Sequence, residues 1–365
     1  VAKVGDGRII FTWVGEGSPA WEAGIRAGAE LISWDKRPAA DALEDVATVF
    51  TSISATKEDL DLQKQHYLVR APIGKQVSVA FLNEGEHVPQ EVSLTAYDDQ
   101  QESIKRGYPD AVVSDRLKDA ILEIENPAPM PEAMVEKKTL ANNIFYIRIW
   151  GEFDADLQQT GQTQSTLKLL QQAVNEAIAA DTKGIILDLR NNLGGLDQMA
   201  ADILGSFYTK KTLYEYQNAY NPSTERREII MADAEAGSEA LYINPAQHYY
   251  SGRVIALVNT RCVSSGEGIA MGIKNLPKGD VLGFYGTNGS FGLSGSEAAM
   301  PGDITVRWPS GQSLDMNKEI QLDSRNGVGG VSPSIRIPMT AENAMRVANG
   351  EDVELEEAVR ILSSK

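Results

Sequence analysis

The chain has 365 residues, 42% apolar and 23% charged, the profile of a globular protein of roughly two domains. Its formal charge is −17, from 34 Lys and Arg against 51 Asp and Glu. That acid excess, with no long basic run, argues against nucleic acid and anionic membrane as partners, because phosphate binding depends on clustered Lys and Arg. No stretch approaches the roughly 20 apolar residues of a membrane span. The single cysteine, Cys262, allows no intrachain disulfide and makes a zinc cluster unexpected. His66, His87 and His248 form no H-x-x-x-H or H-E-x-x-H pattern, so no metal and no cofactor is expected. The opening VAKVGDGRII lacks the charged start, apolar block and cleavage site of a signal peptide.

In chain order, GRIIFTWV (7–14) reads as a strand, GEGSPA as a turn, and WEAGIRAGAELISWDKRP as short helix, glycine break, strand and turn. DALEDVATVF is polar and helical. HYLVR, QVSVAFLNEG and QEVSLTAY read as further short strands, with NEGE as a hairpin turn. Residues 1–98 thus read as a small β-rich domain. Residues 99–140 are polar, broken by Pro109, Pro127, Pro129 and Pro131, and read as a connector carrying one helix at 114–125.

From 141 to 365 the rhythm changes. IFYIRIW (144–150) is a strand, and residues 165–180 form an amphipathic helix with Leu167, Leu170, Val174, Ala177 and Ile178 on one stripe. GIILDL (184–189) and RVIALVN (253–259) are apolar runs suited to strands buried on both faces. LDQMAADILGSFY and SSGEGIAMGIKNL read as helices, VLGFYG (281–286) as a strand, and 341–365 as helical. Alternating strands and helices predict an α/β domain with a mainly parallel sheet and flanking helices.

Two turns carry candidate chemistry. DLRNNLGGL (188–196) lies where a strand ends and a helix begins, and glycines there bring backbone N–H groups close to a ligand beside a positive helix end. It has no G-x-G-x-x-G and no G-K-[ST], so a nucleotide is not its ligand; the plain alternative is a tight strand-to-helix turn. SSGE (264–267) also follows a strand. Ser at a helix start with Glu three residues on is a capping box. The same geometry suits a nucleophile, since a Ser just before a helix gains from the dipole and the next backbone N–H can serve an oxyanion. Both turns lie at the carboxyl ends of strands, where open α/β sheets place their sites. The glycine-rich loop GFYGTNGSFGLSG (283–295) and the turn-rich QLDSRNGVGGVSPSIRIP (321–338) follow.

Taken in order, IFYIRIW, DLRNNLGG, SSGE, the T-x-G loop TNG (287–289) and GVSP (330–333) resemble the carboxy-terminal processing (tail-specific) serine proteases and their tricorn-type relatives. GSPAWEAGIRAGAELISWDKRP resembles the second half of that family's PDZ domain. The resemblance covers the chain apart from 99–140. It implies a ClpP/crotonase-like α/β catalytic domain, a PDZ-like domain, and hydrolysis of peptide bonds through an acyl-enzyme on Ser264. The oxyanion donors it implies are the N–H of Ser265 and one from Gly194 or Gly195, with Leu193 standing where the family has the first of three glycines. Asn192, Thr287, Gly289 and Ser290 would line the site. One branch of the family activates its serine with a lysine in the T-x-G loop; Ser290 occupies that place here. The other branch uses a histidine and an acid. The acid matches Asp323, where Glu is usual. The histidine lies in an Asp-x-His segment ahead of the PDZ module and has no counterpart in this sequence, which implies a piece of a longer protease; a pseudoprotease that binds peptides without turnover is the alternative. None of His66, His87 and His248 has a spacing that brings it to Ser264. A crotonase-like acyl-CoA enzyme is a third reading, and the PDZ-like module speaks against it. The partners implied are polypeptides or peptide tails, and the location a secreted, periplasmic or cell-envelope one.

Overall fold

The computed structural model describes residues 1–48, 54–100, 131, 133–157, 161–233, 237–295, 297–302, 304–324 and 329–364. The helix expected at 114–125 lies outside them. The chain divides into two units, 1–130 with 337–353, and 131–336 with 354–365.

The first unit is built on an antiparallel sheet, in the order Ala2–Lys3, Ile9–Ile10, Glu30–Trp34, Gln76–Leu82, Gln90–Thr95. Arg37–Pro38 folds back on Glu30–Trp34 through Asp35 and Lys36, both at positive φ, as a two-residue hairpin turn requires. Along Gln76–Leu82 the side chains of Val77, Val79 and Phe81 point inward and pack with Ile9, Phe11, Ile25, Leu31 and Leu68. Ser18 caps the short helix Pro19–Glu22, accepting from the Trp21 N–H at 3.2 Å.

HYLVR is not a strand. His66 and Tyr67 end the helix Lys57–Tyr67, which Thr56 caps. This helix is polar even on its buried side, where Asp59 accepts from Ser54 Oγ at 2.5 Å and Gln63 Nε2 at 3.0 Å, so hydrophobic periodicity could not reveal it. The chain also returns to this unit late. Helix Ala341–Ala348 places Ala344 against Val4 and Ile10, and Gly5 N–H donates to Met339 O at 2.8 Å. A contiguous domain reading cannot foresee such a return.

The second unit holds a six-stranded sheet in the order Ile335–Arg336, Gly279–Gly283, Arg253–Leu257, Gly184–Asp188, Ile144–Ile149, Val135–Leu140. The first five strands run parallel, and Val135–Leu140 pairs antiparallel with Ile144–Ile149. Val135–Leu140 falls in the segment read as connector; its exposed Lys137, Lys138 and Thr139 mark it as an edge strand. Gly184–Asp188 is buried along its whole length, as its unbroken apolar run predicts. Helices Thr166–Ala179, Asp197–Gly205 and Ser265–Lys274 pack in series, 197–205 touching both others.

A second, antiparallel sheet was not foreseen. Thr212–Asn221 is its long strand, flanked by Arg226–Ile229, Ala240–Ile243 and Gly311–Leu314, with Gly292–Leu293 beyond. The unit is therefore α/β with mixed sheets, and the mainly parallel architecture read from the sequence holds only for the central one. The long strand carries polar residues on half-buried faces, and its partner Gly311–Leu314 lies about 90 residues on, so the local apolar pattern does not announce the sheet.

Candidate active site

The strands Gly184–Asp188 and Arg253–Leu257 are neighbours, and the two candidate turns leave their carboxyl ends side by side. Asparagines join them. Asn191 N–H donates to Asn259 Oδ1 at 3.0 Å, and Asn259 Nδ2 returns a bond to Asn191 Oδ1 at 3.0 Å. Asn192 is fully buried and does more. Its Oδ1 accepts Gly194 N–H at 2.8 Å, its Nδ2 donates to Ile149 O at 3.0 Å and Glu152 Oε1 at 2.8 Å, and its carbonyl accepts Val263 N–H at 3.1 Å.

Ser264 sits at the start of helix Ser265–Lys274 with φ 54° and ψ −128°. An ordinary N-cap is extended, and a non-glycine residue in this region is strained, so capping alone does not account for the backbone. The capping box is present too: Ser264 N–H donates to Glu267 Oε2 at 3.1 Å. The side chain of Ser264 rests on the glycine turn. A Cβ added at Gly194, where φ is 72°, would stand 2.6 Å from Ser264 Cβ and 3.3 Å from its Oγ. At Gly195 an added Cβ would fall 2.3 Å from the carbonyl oxygen of Glu152. Glycine at both positions lets the turn close on the serine.

The turn's N–H groups divide between tasks. That of Gly194 is committed to Asn192. Gly195 lies in a parallel bridge with Glu152 made by Glu152 N–H to Gly194 O at 3.0 Å and Leu196 N–H to Glu152 O at 2.8 Å. This pair of bonds does not use the Gly195 N–H, so of the two glycines Gly195 is the better placed to donate to a ligand.

Glu267 anchors the T-x-G loop. Its carboxylate accepts from Thr287 Oγ1 and Gly289 N–H, each at 2.7 Å, from Ser290 N–H at 2.8 Å and Ser290 Oγ at 3.1 Å, besides Ser264 N–H. Burial raises its pKa, and these donors oppose the rise. Ser290 thus helps hold the loop to the helix. Thr287 Oγ1 in turn accepts Val331 N–H at 2.6 Å, which fastens the GVSP segment.

Asp323 is half-buried between Gln321, whose N–H donates to Ser313 O at 2.9 Å, and the 329–331 segment at Thr287. No hydrogen bond among the described residues joins it to Ser264. His66 and His87 belong to the first unit. His248 is exposed and lies by the opposite end of the central sheet: nearby Tyr250 donates to Thr182 O at 3.2 Å, just before strand Gly184–Asp188 begins, whereas Ser264 follows the strands' ends.

Two features escaped the sequence reading. Asp188 and Arg190 of DLR form a buried network: Arg190 bonds Asp188 at 2.7 and 3.0 Å and Glu354 at 3.0 Å, and Tyr146 Oη donates to Asp188 Oδ2 at 2.7 Å. Burial works to raise the Asp188 pKa, but Arg190, Arg148 and Tyr146 outweigh it and the net shift is downward. The other feature is Glu152, fully buried, whose Oε2 accepts the Ser265 hydroxyl at 2.6 Å. Burial pushes its pKa up to about 7, against the bonds from Ser265 and Asn192. An acid one residue beyond a buried strand and Trp150-Gly151 carries no sequence signal that separates it from a surface loop residue.

A strained serine seated on a glycine turn in an α/β body suits acyl transfer, and comparison with known proteins gives the family. The model of peptidase family S41 matches residues 143–336. The chain belongs to that family and is a serine peptidase, a hydrolase. Among solved structures, mature CPAF complexed with lactacystin superposes with a TM-score of 0.60 at 15% identity, over 100% of this chain and 82% of its own. A peptidase of Parabacteroides merdae matches at 0.47 and 17%, over 85% and 84%. The photosystem II D1 C-terminal processing protease matches at 0.40 and 16%, over 95% and 74%. A search of curated proteins finds no significant sequence match.

Proposed function

We propose that this protein is an endopeptidase of the carboxy-terminal processing type with Ser264 as its nucleophile. The observation that carries the reading is the contact of the strained Ser264 side chain with Gly194. In the reaction Ser264 Oγ attacks the peptide carbonyl and its proton passes to a base. The carbonyl oxygen becomes an oxyanion facing the Ser265 and Gly195 N–H groups, the amine leaves with a proton, and water releases the acyl group. Membership of the family supports the reaction class. The order of the motifs supports the Ser–His–acid branch, with Asp323 as the acid that orients the histidine. The Ser–Lys route has no lysine at Ser290 to support it.

The first unit is the proposed PDZ-like module. Its antiparallel sheet and a cavity of about 320 Å³ lined by Phe11, Trp13, Trp34, Val77 and Leu94 suit an extended peptide with apolar side chains. The test is labelling of the full natural protein by a fluorophosphonate. Label on the wild type and none on Ser264→Ala supports the peptidase. A wild type that binds peptide and takes no label supports the scaffold without turnover.

A further inference from the structure

Glu152 stands where the two halves of the proposed oxyanion cradle meet, and the reaction outlined above does not use it. Its Oε2 accepts the Ser265 hydroxyl at 2.6 Å and its Oε1 accepts Asn192 Nδ2 at 2.8 Å. Its backbone completes the joint, with N–H to Gly194 O at 3.0 Å and carbonyl to Leu196 N–H at 2.8 Å. One residue is therefore bonded to the first residue of the helix and to both sides of the Gly195 amide.

Resting on the assignment of Ser264, we propose that Glu152 is the positioning residue of the oxyanion cradle, fixing the Ser265 N–H relative to the Gly195 N–H. The need for such a residue is physical. Oxyanion donors work by being held in place before charge develops, at 2.7–3.1 Å from the oxygen's eventual position. N–H groups in the first turn of a helix have no intrahelical acceptor, so the helix alone does not fix the direction of the Ser265 amide. Glycines at positive φ have no side chain to pack, so the turn depends on the bond of the Gly194 N–H to Asn192 and on those of Glu152 to either side of the Gly195 amide. Glu152 joins the two restraints from a single fully buried site, bonding Ser265 directly and the turn both directly and through Asn192.

The Ser265 hydroxyl points into the interior onto the buried Glu152 carboxylate, away from its own N–H, so the short Ser265–Glu152 bond is not a second nucleophile–base pair. Among the described residues no opposite charge holds the carboxylate. The ionisable groups that interact with it are Asp197, Tyr214 and Cys262, with Glu215 acting on Asp197, and burial is what keeps its proton on up to about pH 7. Both protonation states preserve the joint. The carboxylate accepts from Ser265 Oγ; the protonated carboxyl donates to that hydroxyl instead, while Oε1 still accepts from Asn192. A glutamine can copy the protonated form, with its amide nitrogen donating to Ser265 Oγ and its oxygen accepting from Asn192. An alanine can copy neither.

The experiment uses the full natural protein, a fluorescent casein for turnover and a fluorophosphonate for the labelling rate, with thermal unfolding of each variant. Glu152→Ala is expected to lower kcat and the labelling rate by about 100-fold with KM changed less than about threefold, the pattern of an interaction made in the transition state. Glu152→Gln is expected to recover most of that loss. Ser265→Ala, which keeps the N–H and removes only the tether, is expected to lose about 10-fold in kcat at unchanged KM, and it decides the matter if Glu152→Ala does not fold. A folded Glu152→Ala with wild-type kcat, a Glu152→Gln as impaired as the alanine, or a Ser265→Ala with unaltered kcat overturns the inference. Turnover surviving in Ser264→Ala overturns the nucleophile assignment and the inference with it; Ser264→Ala inactive beside an active Glu152→Ala overturns the inference alone.

Discussion

Two buried polar clusters stand at the strand ends of the same unit, and they are built on opposite principles. Around Arg190 charges are balanced: its guanidinium meets Asp188 and Glu354, Arg148 acts on Asp188 as a second cation, and Tyr146 donates to Asp188. Around Ser264 they are not. Glu152 and Glu267 are fully buried with only hydroxyl, amide and backbone donors about them, and Asp197 and Glu215 lie close by. Burying a carboxylate without a counter-charge is costly, so its proton affinity rises; burying it beside Arg lowers that affinity. The balanced cluster fastens the chain after the strand. The unbalanced one trades stability for fixed N–H geometry beside the serine.

The largest expected effect tests what the unbalanced cluster is for: Ser264→Ala should cut casein turnover on the order of 10⁶-fold while the unfolding midpoint in urea hardly moves. Next comes the balanced cluster. Arg190→Ala takes the guanidinium away from two buried carboxylates, Asp188 and Glu354, and should destabilise the unit by about 3–5 kcal/mol in urea unfolding. A loss under about 1 kcal/mol would remove the contrast between the clusters.

The pH dependence sharpens it further. The folded pKa of Glu152, about 7, exceeds the unfolded value near 4.5. The fold therefore binds its proton more tightly than the unfolded chain. The resulting stability is complete below the unfolded value and is lost as pH rises through about 7. Its size is on the order of 3 kcal/mol. Glu152→Gln should flatten that part of the stability–pH curve, followed by urea titration between pH 5 and pH 8. Asp197, pushed to about 8 first by burial and then by Glu215 and Glu152, adds a slope of the same sign, which the variant retains apart from the share that comes from Glu152. The smallest effect is a control: His248→Ala, exposed and at the sheet's other end, should leave turnover unaltered and stability within about 0.5 kcal/mol.

How much of this was legible follows from what each feature depends on. The buried strands Gly184–Asp188 and Arg253–Leu257 and the helices at 166–179 and 265–274 declare themselves, because their apolar residues follow a local period. The helix 57–67 does not, because Asp59, Gln63 and Gln65 occupy its buried side. SSGE and DLRNNLGG could be read as strand-end turns, yet which glycine amide remains available depends on Asn192 and on a bridge to Glu152, 43 residues before Gly195.

By itself the sequence determined the central α/β rhythm, the two turns and the serine between strand and helix, since these rest on contacts a few residues apart. Only the tertiary structure decided that strand 135–140 joins the sheet, that 337–353 returns to the first unit, and that a buried glutamate stands between the turns. Those outcomes depend on burial and on hydrogen bonds between distant segments. A polar side chain gives no sign in the sequence of whether water or a partner from afar will satisfy it.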